Sequence, residues 1–195
     1  MTSIDSDTSQ VIAEAISERG GRYLEAPITG SLSAAEEGTL LIICAGDLEL
    51  FKSCETCFFS TAKNTLHMNC DVGSASKMNL IHSMLMSTSN AVLAEQMVVL
   101  ERNNIPKSKL LDVIQLDSIS CPLFSESGRA IVDQNFSTNT SLKYQQQNLH
   151  MALALSSSYA QPLRMASASN ELYKATKSLG YSEHDMSAVY FGARH

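Results

Sequence analysis

The side chains in this sequence that could do chemistry are few and scattered. Cys54 and Cys57 form a C-x-x-C pair. Two thiolates at that spacing can supply half of a tetrahedral zinc site, or can cycle as a redox dithiol. A zinc site needs two further ligands, and no second C-x-x-C and no H-x-x-x-H follows. A redox pair normally opens a helix, whereas this one lies inside the helical pattern DLELFKSCETCFFSTA. Cys44, Cys54, Cys57, Cys70 and Cys121 are therefore read as reduced thiols, packed or half-exposed. His150, His184 and His195 have no acidic or cysteine partner at metal-ligand spacing, and His82 reads as a packed or partly exposed histidine, so no metal is expected. No G-x-G occurs anywhere, and no G-x-x-x-x-G-K-[ST]. The Gly-rich turn that would cradle a pyrophosphate on backbone N–H groups is thus absent from the sequence.

Composition excludes several classes of function. The 195 residues carry a formal charge of −6 and no basic run, which argues against direct nucleic-acid binding. The opening MTSIDSDTSQ is polar and acidic, unlike a secretory or transit signal. No apolar run reaches the length of a membrane span. The sequence reads as soluble and intracellular, with 44% apolar residues, enough for a core.

The elements that must position any chemistry are organised around one stretch, Val72–Asn104, closed by Pro106. It holds no Pro and no Gly after Gly73, and its apolar residues, from Met78 to Leu100, occupy most of a helical circumference. The pattern predicts a buried central helix. Its polar opening, with Lys77, Asn79, His82 and Ser83, is where chemistry would sit. Ahead of it, residues 5–19 form an amphipathic pattern with Val11, Ile12, Ala15 and Ile16 on one face, capped by Ser6 or Asp7. RYLEAPITG reads as a short strand, SLSAAEEG as a loop or helical turn, and TLLIIC as a strand covered on both faces. A helix from Asp47 to about Thr61 and a weak strand at Thr65–Met68 follow.

Beyond the long helix only helices are predicted. They open at Pro106 and Pro122, run from about Thr140 to Ser156, and start again near Pro162. The last begins at Ser182, where Ser182 and Asp185 have the spacing of a capping box. The fold class is mixed: an α/β layer over residues 1–71, then an all-α part over 72–195.

Several segments together resemble the β-hydroxyacid dehydrogenases, the group of 3-hydroxyisobutyrate dehydrogenase and the glyoxylate/succinic semialdehyde reductases. EAPITGS at 25–31 resembles their substrate loop, and GTLLIICAGD at 38–47 the strand after it. VGSASKMNLIHSM at 72–84 resembles the segment with their catalytic lysine. SLKYQQQNLHMALAL at 141–155 resembles their cofactor-side LxxKDxxLA segment. Within the group, the C-x-x-C at 54–57, NELYKATKSLG at 170–180 and DMSAVYFGARH at 185–195 are most similar to a nuclear, PWWP-containing branch.

The resemblance implies the remnant of a Rossmann-type layer followed by a 6-phosphogluconate-dehydrogenase-like helical domain, with the Gly-rich turn and most of the parallel sheet lying upstream of this chain. It implies NAD(P) as the family cofactor and Ser3 as a residue touching it. It places the family's proton-donating lysine at Asn79 and a supporting Asn at Ser83. An amide can donate a hydrogen bond but does not transfer a proton at neutral pH. Lys77 sits about 200° away around a helix and cannot simply substitute. The family's cofactor-side Lys-Asp pair falls at Gln147 and Asn148. Thr29, Gly30 and Ser31 keep the substrate-loop pattern and could hold a small anion on N–H groups, or form a turn in which Gly is needed for geometry.

The expectation is a catalytically inactive dehydrogenase-like module that binds no cofactor and serves as an oligomerisation or interaction scaffold. By resemblance it would be nuclear, with the cytoplasm as the alternative location, and chromatin-associated proteins would be its partners. The competing expectation is a working NAD(P)-dependent oxidoreductase of small 3-hydroxy acids or aldehydes.

Overall fold

Strand β3, Leu40–Gly46, is the centre of the first part of the molecule. The structure, a computed structural model, describes residues 3–195. One compact unit ends at His82, and a second runs from Ser83 to His195. In the first unit, β3 alternates its side chains between two apolar clusters. Leu40, Ile42 and Cys44 pack with Phe51 and Ala62 on one face, and Ile43 and Ala45 pack with Ala75 on the other. A strand buried on both faces has no need of polar alternation, which is why TLLIIC is apolar throughout.

The segment expected to be one strand is broken into two. β1 (Leu24–Glu25) and β2 (Ile28–Thr29) both pair antiparallel with β3, at Leu24↔Gly46 and Ile28↔Ile42. Pro27 lies between them and has no N–H to give, but its carbonyl accepts from the Ile43 N–H at 3.0 Å. On the other side of β3 lies β4, Ala62–His67, which runs parallel to it. A parallel neighbour requires a crossover, supplied by α3, Leu48–Phe59.

Two expectations about α1, Ser6–Ser17, are corrected. Asp5, not Ser6 or Asp7, is the cap, accepting from the Thr8 N–H at 2.8 Å. The apolar face also does not point inward: Val11 and Ile12 are exposed, while Ser6 and Ser9 are buried. Ser9 is held inside by a 3.0 Å hydrogen bond with the Tyr23 hydroxyl, which satisfies its polarity.

The long helix, α4, runs Ser74–Arg102. Its opening turns, as far as His82, belong to the first unit. The expectation that it is buried all round is also corrected. Met78, Ile81, Leu85, Val92 and Val99 are exposed, and Ser76, Asn79, Ser83, Ser87 and Asn90 are buried instead. Hydrophobicity was spread too evenly along this helix to mark the inward face; buried hydrogen-bonding positions mark it.

The second unit is helical: α5 (Ser108–Leu116), α6 (Pro122–Val132), α7 (Leu142–Ser158), α8 (Arg164–Thr176) and α9 (Val189–Arg194). Its core joins Leu93, Met97, Ile131, Leu142, Leu149, Tyr173, Val189 and Tyr190. After α8 the backbone turns through Gly180, at φ +96°, a conformation that suits glycine. No Ser182–Asp185 capping box forms. Asp185 instead caps the turn Met186–Ala188 that leads into α9, accepting from the N–H groups of Ser187 at 2.9 Å and Thr140 at 2.8 Å.

Candidate functional site

The opening of α4 is assembled around a buried carboxylate. Glu25, 2% exposed, accepts from the N–H groups of Gly73 at 2.8 Å and Ala75 at 3.0 Å, and from the Ser76 hydroxyl. The first N–H groups of a helix have no partner within it, and an anion there also complements the helix dipole. Gly73 reaches its position with φ +99°, and a Cβ would come within 3.0 Å of Gln10. Its glycine is thus required by both backbone conformation and close approach.

Next to this carboxylate the first unit holds a cavity of about 260 Å³. Ser3 and Ile4 line it ahead of α1, Tyr23, Glu25, Ala26, Pro27 and Ile28 from the broken edge strand, and Ser76 and Asn79 from α4. Asn79 is 6% exposed. Among the described residues the wall around it holds one carboxylate and no Lys, Arg or His. Glu25 is occupied by its three donors, and Tyr23 by Ser9. Among the described residues, none of the lining groups is a free acid placed to give a proton.

The same economy governs the other long helices of the unit. At α1, Asp5 occupies the N-terminus, its carboxyl held below the usual range by the Thr8 N–H and hydroxyl. At α3, Asp47 accepts from Leu50 N–H at 2.9 Å. The Arg22 guanidinium meets Asp47 in a two-point contact at 2.7 Å, and that hydrogen bonding pushes its carboxyl far down. Thus α1, α3 and α4 each have a side-chain carboxylate at the N-terminus. A dinucleotide needs those N–H groups free and unopposed by negative charge. None of these three N-termini is left free to take a phosphate.

The structure brings only part of the sequence-derived set together. Ser3 and Asn79 share the cavity. Thr29 does not line it; its hydroxyl lies 3.4 Å from His82 Nδ1. Gly30 sits at φ +145°, where a Cβ would meet Leu40 Cδ2 at 2.6 Å, so geometry accounts for this glycine. Ser31 caps α2, Leu32–Glu36, accepting from the Ala34 N–H at 3.2 Å. In the second unit Ser83 is buried, and its carbonyl accepts from Ser87 Oγ and from Gln145 Nε2. Gln147 is exposed and Asn148 half-buried on α7. The cysteines are all free thiols, Cys44 buried and Cys57 and Cys70 exposed. Burial pushes the Cys44 thiol up to about 11.

Sequence reasoning missed Glu25 as a structural centre. It also missed the neighbours of Gln147 and Asn148: Gln145 donates to Ser87 Oγ at 2.8 Å, and Gln146 bridges Asn170 and Lys177 at 2.9 and 2.8 Å. A run of three glutamines on a helix sends two inward, and only the packing of the other helices decides which.

Comparison with known proteins fixes the relationship. Residues 73–191 match the family model described as NAD-binding of NADP-dependent 3-hydroxyisobutyrate dehydrogenase, and residues 1–71 match the NAD binding domain of 6-phosphogluconate dehydrogenase. The chain belongs to the 3-hydroxyisobutyrate dehydrogenase family. Among curated proteins it is similar to the cytokine-like nuclear factor N-PAC of Aedes aegypti, 44% identical over 194 residues that make up 100% of this chain and 34% of that protein. The protein of the same name from Homo sapiens is 36% identical over 190 residues, 97% of this chain and 34% of the relative. The chain spans about a third of the length of these relatives.

Among solved structures, 3-hydroxyisobutyrate dehydrogenase from Salmonella typhimurium superposes with a TM-score of 0.89 at 23% identity, over 97% of this chain and 66% of that one. The Mycobacterium tuberculosis 3-hydroxyisobutyrate dehydrogenase with L-serine gives 0.87 at 18% identity, over 99% and 68%. These likenesses establish the 3-hydroxyisobutyrate dehydrogenase fold. They carry no residue roles at such identities.

Proposed function

We propose that this chain is a non-catalytic module of the 3-hydroxyisobutyrate dehydrogenase family that acts as an assembly and interaction scaffold. The observation that carries this reading is Asn79: the position where the family resemblance puts a proton-donating lysine holds a buried amide, in a cavity that no cationic side chain lines among the described residues. A positioned general acid contributes about 10²–10⁴-fold to rate. The carboxylates at the N-termini of α1, α3 and α4 support the further reading that the chain binds no NAD(P).

Support for assembly comes from α4. Leu85, Val92 and Val99 are exposed and spaced seven residues apart, so they form one stripe along the helix. In the same unit, Leu85 and Met165 border an apolar groove of about 410 Å³. Exposed contiguous apolar surface marks interaction sites, and a second copy of the chain is the occupant we infer. The relatives' printed name, a nuclear factor, supports a nuclear location; chromatin-associated protein partners are what the family resemblance implies. With a formal charge of −6, direct contact of this chain with nucleic acid is not part of the proposal.

The test pairs two measurements. The chain and its Asn79→Lys variant are assayed with NADPH and glyoxylate or succinic semialdehyde; the unmodified chain is expected to give no turnover, and measurable turnover overturns the non-catalytic reading. Light scattering at micromolar concentration is expected to show a dimer or larger species, and a folded monomer overturns the scaffold reading.

A further inference from the structure

The C-x-x-C pair is a motif that the scaffold reading leaves without a use. Both thiols lie on α3, Leu48–Phe59, which runs unbroken through them. Residues three apart on a helix are separated by about 60° around the axis and about one turn along it, so Cys54 and Cys57 share a face. Cys57 is exposed, Cys54 is half-buried, and both are free thiols. A small solute can therefore reach the pair.

The spacing decides between the chemistries open to a dithiol. Cβ atoms three residues apart on a helix are about 5–6 Å from each other, whereas a disulfide needs about 3.5–4.5 Å. Closing one would bend a helix whose last turn is pinned: the Cys57 carbonyl accepts from the hydroxyls of Ser60 at 2.7 Å and Thr61 at 3.1 Å. An ion between the sulfurs lengthens the bridge and needs no such bend. Tetrahedral zinc asks for four ligands, and among the described residues no group of three or more His, Cys, Asp or Glu is placed to hold a metal. A thiolate pair alone suits a soft ion that is satisfied by two ligands in line, and Cu(I) is the thiolate-seeking ion of that kind. Two thiolates and one monovalent cation leave a single negative charge. The Arg22 guanidinium, which also holds Asp47, is within electrostatic reach of Cys54 and offsets part of it. Cys44 interacts with Cys54 too, but burial keeps its thiol protonated and out of the set.

We propose that Cys54 and Cys57 together bind one Cu(I) ion, each thiol releasing its proton to solvent as its sulfur takes the metal. The site is independent of the scaffold reading, since neither residue lines the cavity at Asn79 or the groove beside Leu85. The full chain is titrated anaerobically, with ascorbate, into Cu(I) held by the coloured chelator bicinchoninate, and withdraws one equivalent per chain. Cys54→Ser and Cys57→Ser each weaken binding at least tenfold with an unchanged circular dichroism spectrum. Cys70→Ser, which removes another exposed thiol of the same unit, binds as the wild type does. No withdrawal of copper from the chelator, or undiminished binding by either folded variant at 54 or 57, overturns the proposal.

A second measurement needs no variant. Cu(I) protects Cys54 and Cys57 from iodoacetamide, read by peptide mass spectrometry, and leaves Cys70 reactive. Labelling of all three that is the same with and without copper overturns the assignment, and so does equal protection by Zn(II) at the same concentration. Both readouts are separate from NADPH turnover and from the size of the assembly.

Discussion

Among the described residues each unit buries one acid, the first with one amide and the second with four, and the acids are used alike but the amides differently. Glu25 in the first unit is held by two backbone N–H groups and a hydroxyl. Asp185 in the second is held by the N–H groups of Asn139, Thr140 and Ser187 and by the Ser187 hydroxyl. Both carboxylates are spent on segments that would otherwise leave backbone donors unsatisfied. The amides diverge. Asn90, Gln145 and Gln146 tie α4, α7 and α8 of the second unit to one another and to the turn before α9. Asn79, the amide of the first unit, lines the cavity at the opening of α4 instead. Polarity in the helical unit has a structural role, whereas at the opening of α4 it is left facing a cavity.

The largest test of that comparison is removal of the acids. Glu25→Ala strands the buried donors Gly73 N and Ala75 N, and is expected to cost about 3 kcal/mol or more in urea unfolding. Asp185→Ala should cost a similar amount. A loss below about 1 kcal/mol for either would show that its donors find water or another acceptor. The next effect is steric: at Gly192 a Cβ would approach Thr176 Oγ1 to 2.2 Å and the Leu172 carbonyl to 2.8 Å. Gly192→Ala is expected to cost about 1–3 kcal/mol by forcing α8 and α9 apart.

The amides give the sharpest contrast. Asn90→Ala loses the bond to the Met186 carbonyl and should cost about 1–3 kcal/mol. Asn79→Leu should lie within about 1 kcal/mol of the wild type, or be stabilising, because groups lining a cavity can turn to water when the amide is lost. Equal losses at the two sites would erase the distinction drawn between the units.

The smallest effect is at the surface of the first unit. Hydrogen bonding to Arg22 holds the Asp47 carboxyl below its ordinary value near 3.8. A carboxyl with a lowered value in the folded state contributes stability above its unfolded value, and loses it as pH falls through the folded one. Thermal midpoints of the wild type and Arg22→Met should therefore differ slightly near pH 6 and converge well below pH 3.8. The pair is solvent-exposed, so added salt should shrink the difference. A gap that widens in acid would reverse the assigned sign.

What the sequence disclosed follows the range of the interactions involved. β3 and α4 were legible because a continuous apolar run and a Pro-free, Gly-free stretch are local signals. The inward face of α4 was not, because Ser87 and Asn90 are chosen by groups on other elements, 58 and 96 positions away. The face of α1 was misread for a similar reason: Ser9 is drawn inside by Tyr23, against the apolar stripe. At the candidate site, the motif pointed to Asn79 and Ser3, but its Glu25 looked like an ordinary charged residue before Ala-Pro. The strand break at Pro27 was legible in principle, since a missing N–H is a property of one residue.

Glu25 also imposes an order of events on folding. Its partners lie 48, 50 and 51 residues further along the chain. During synthesis the edge strand emerges with a carboxylate that cannot be buried favourably until Gly73, Ala75 and Ser76 have followed. The first unit is thus a late-closing assembly, whose sheet remains open to water until the long helix begins.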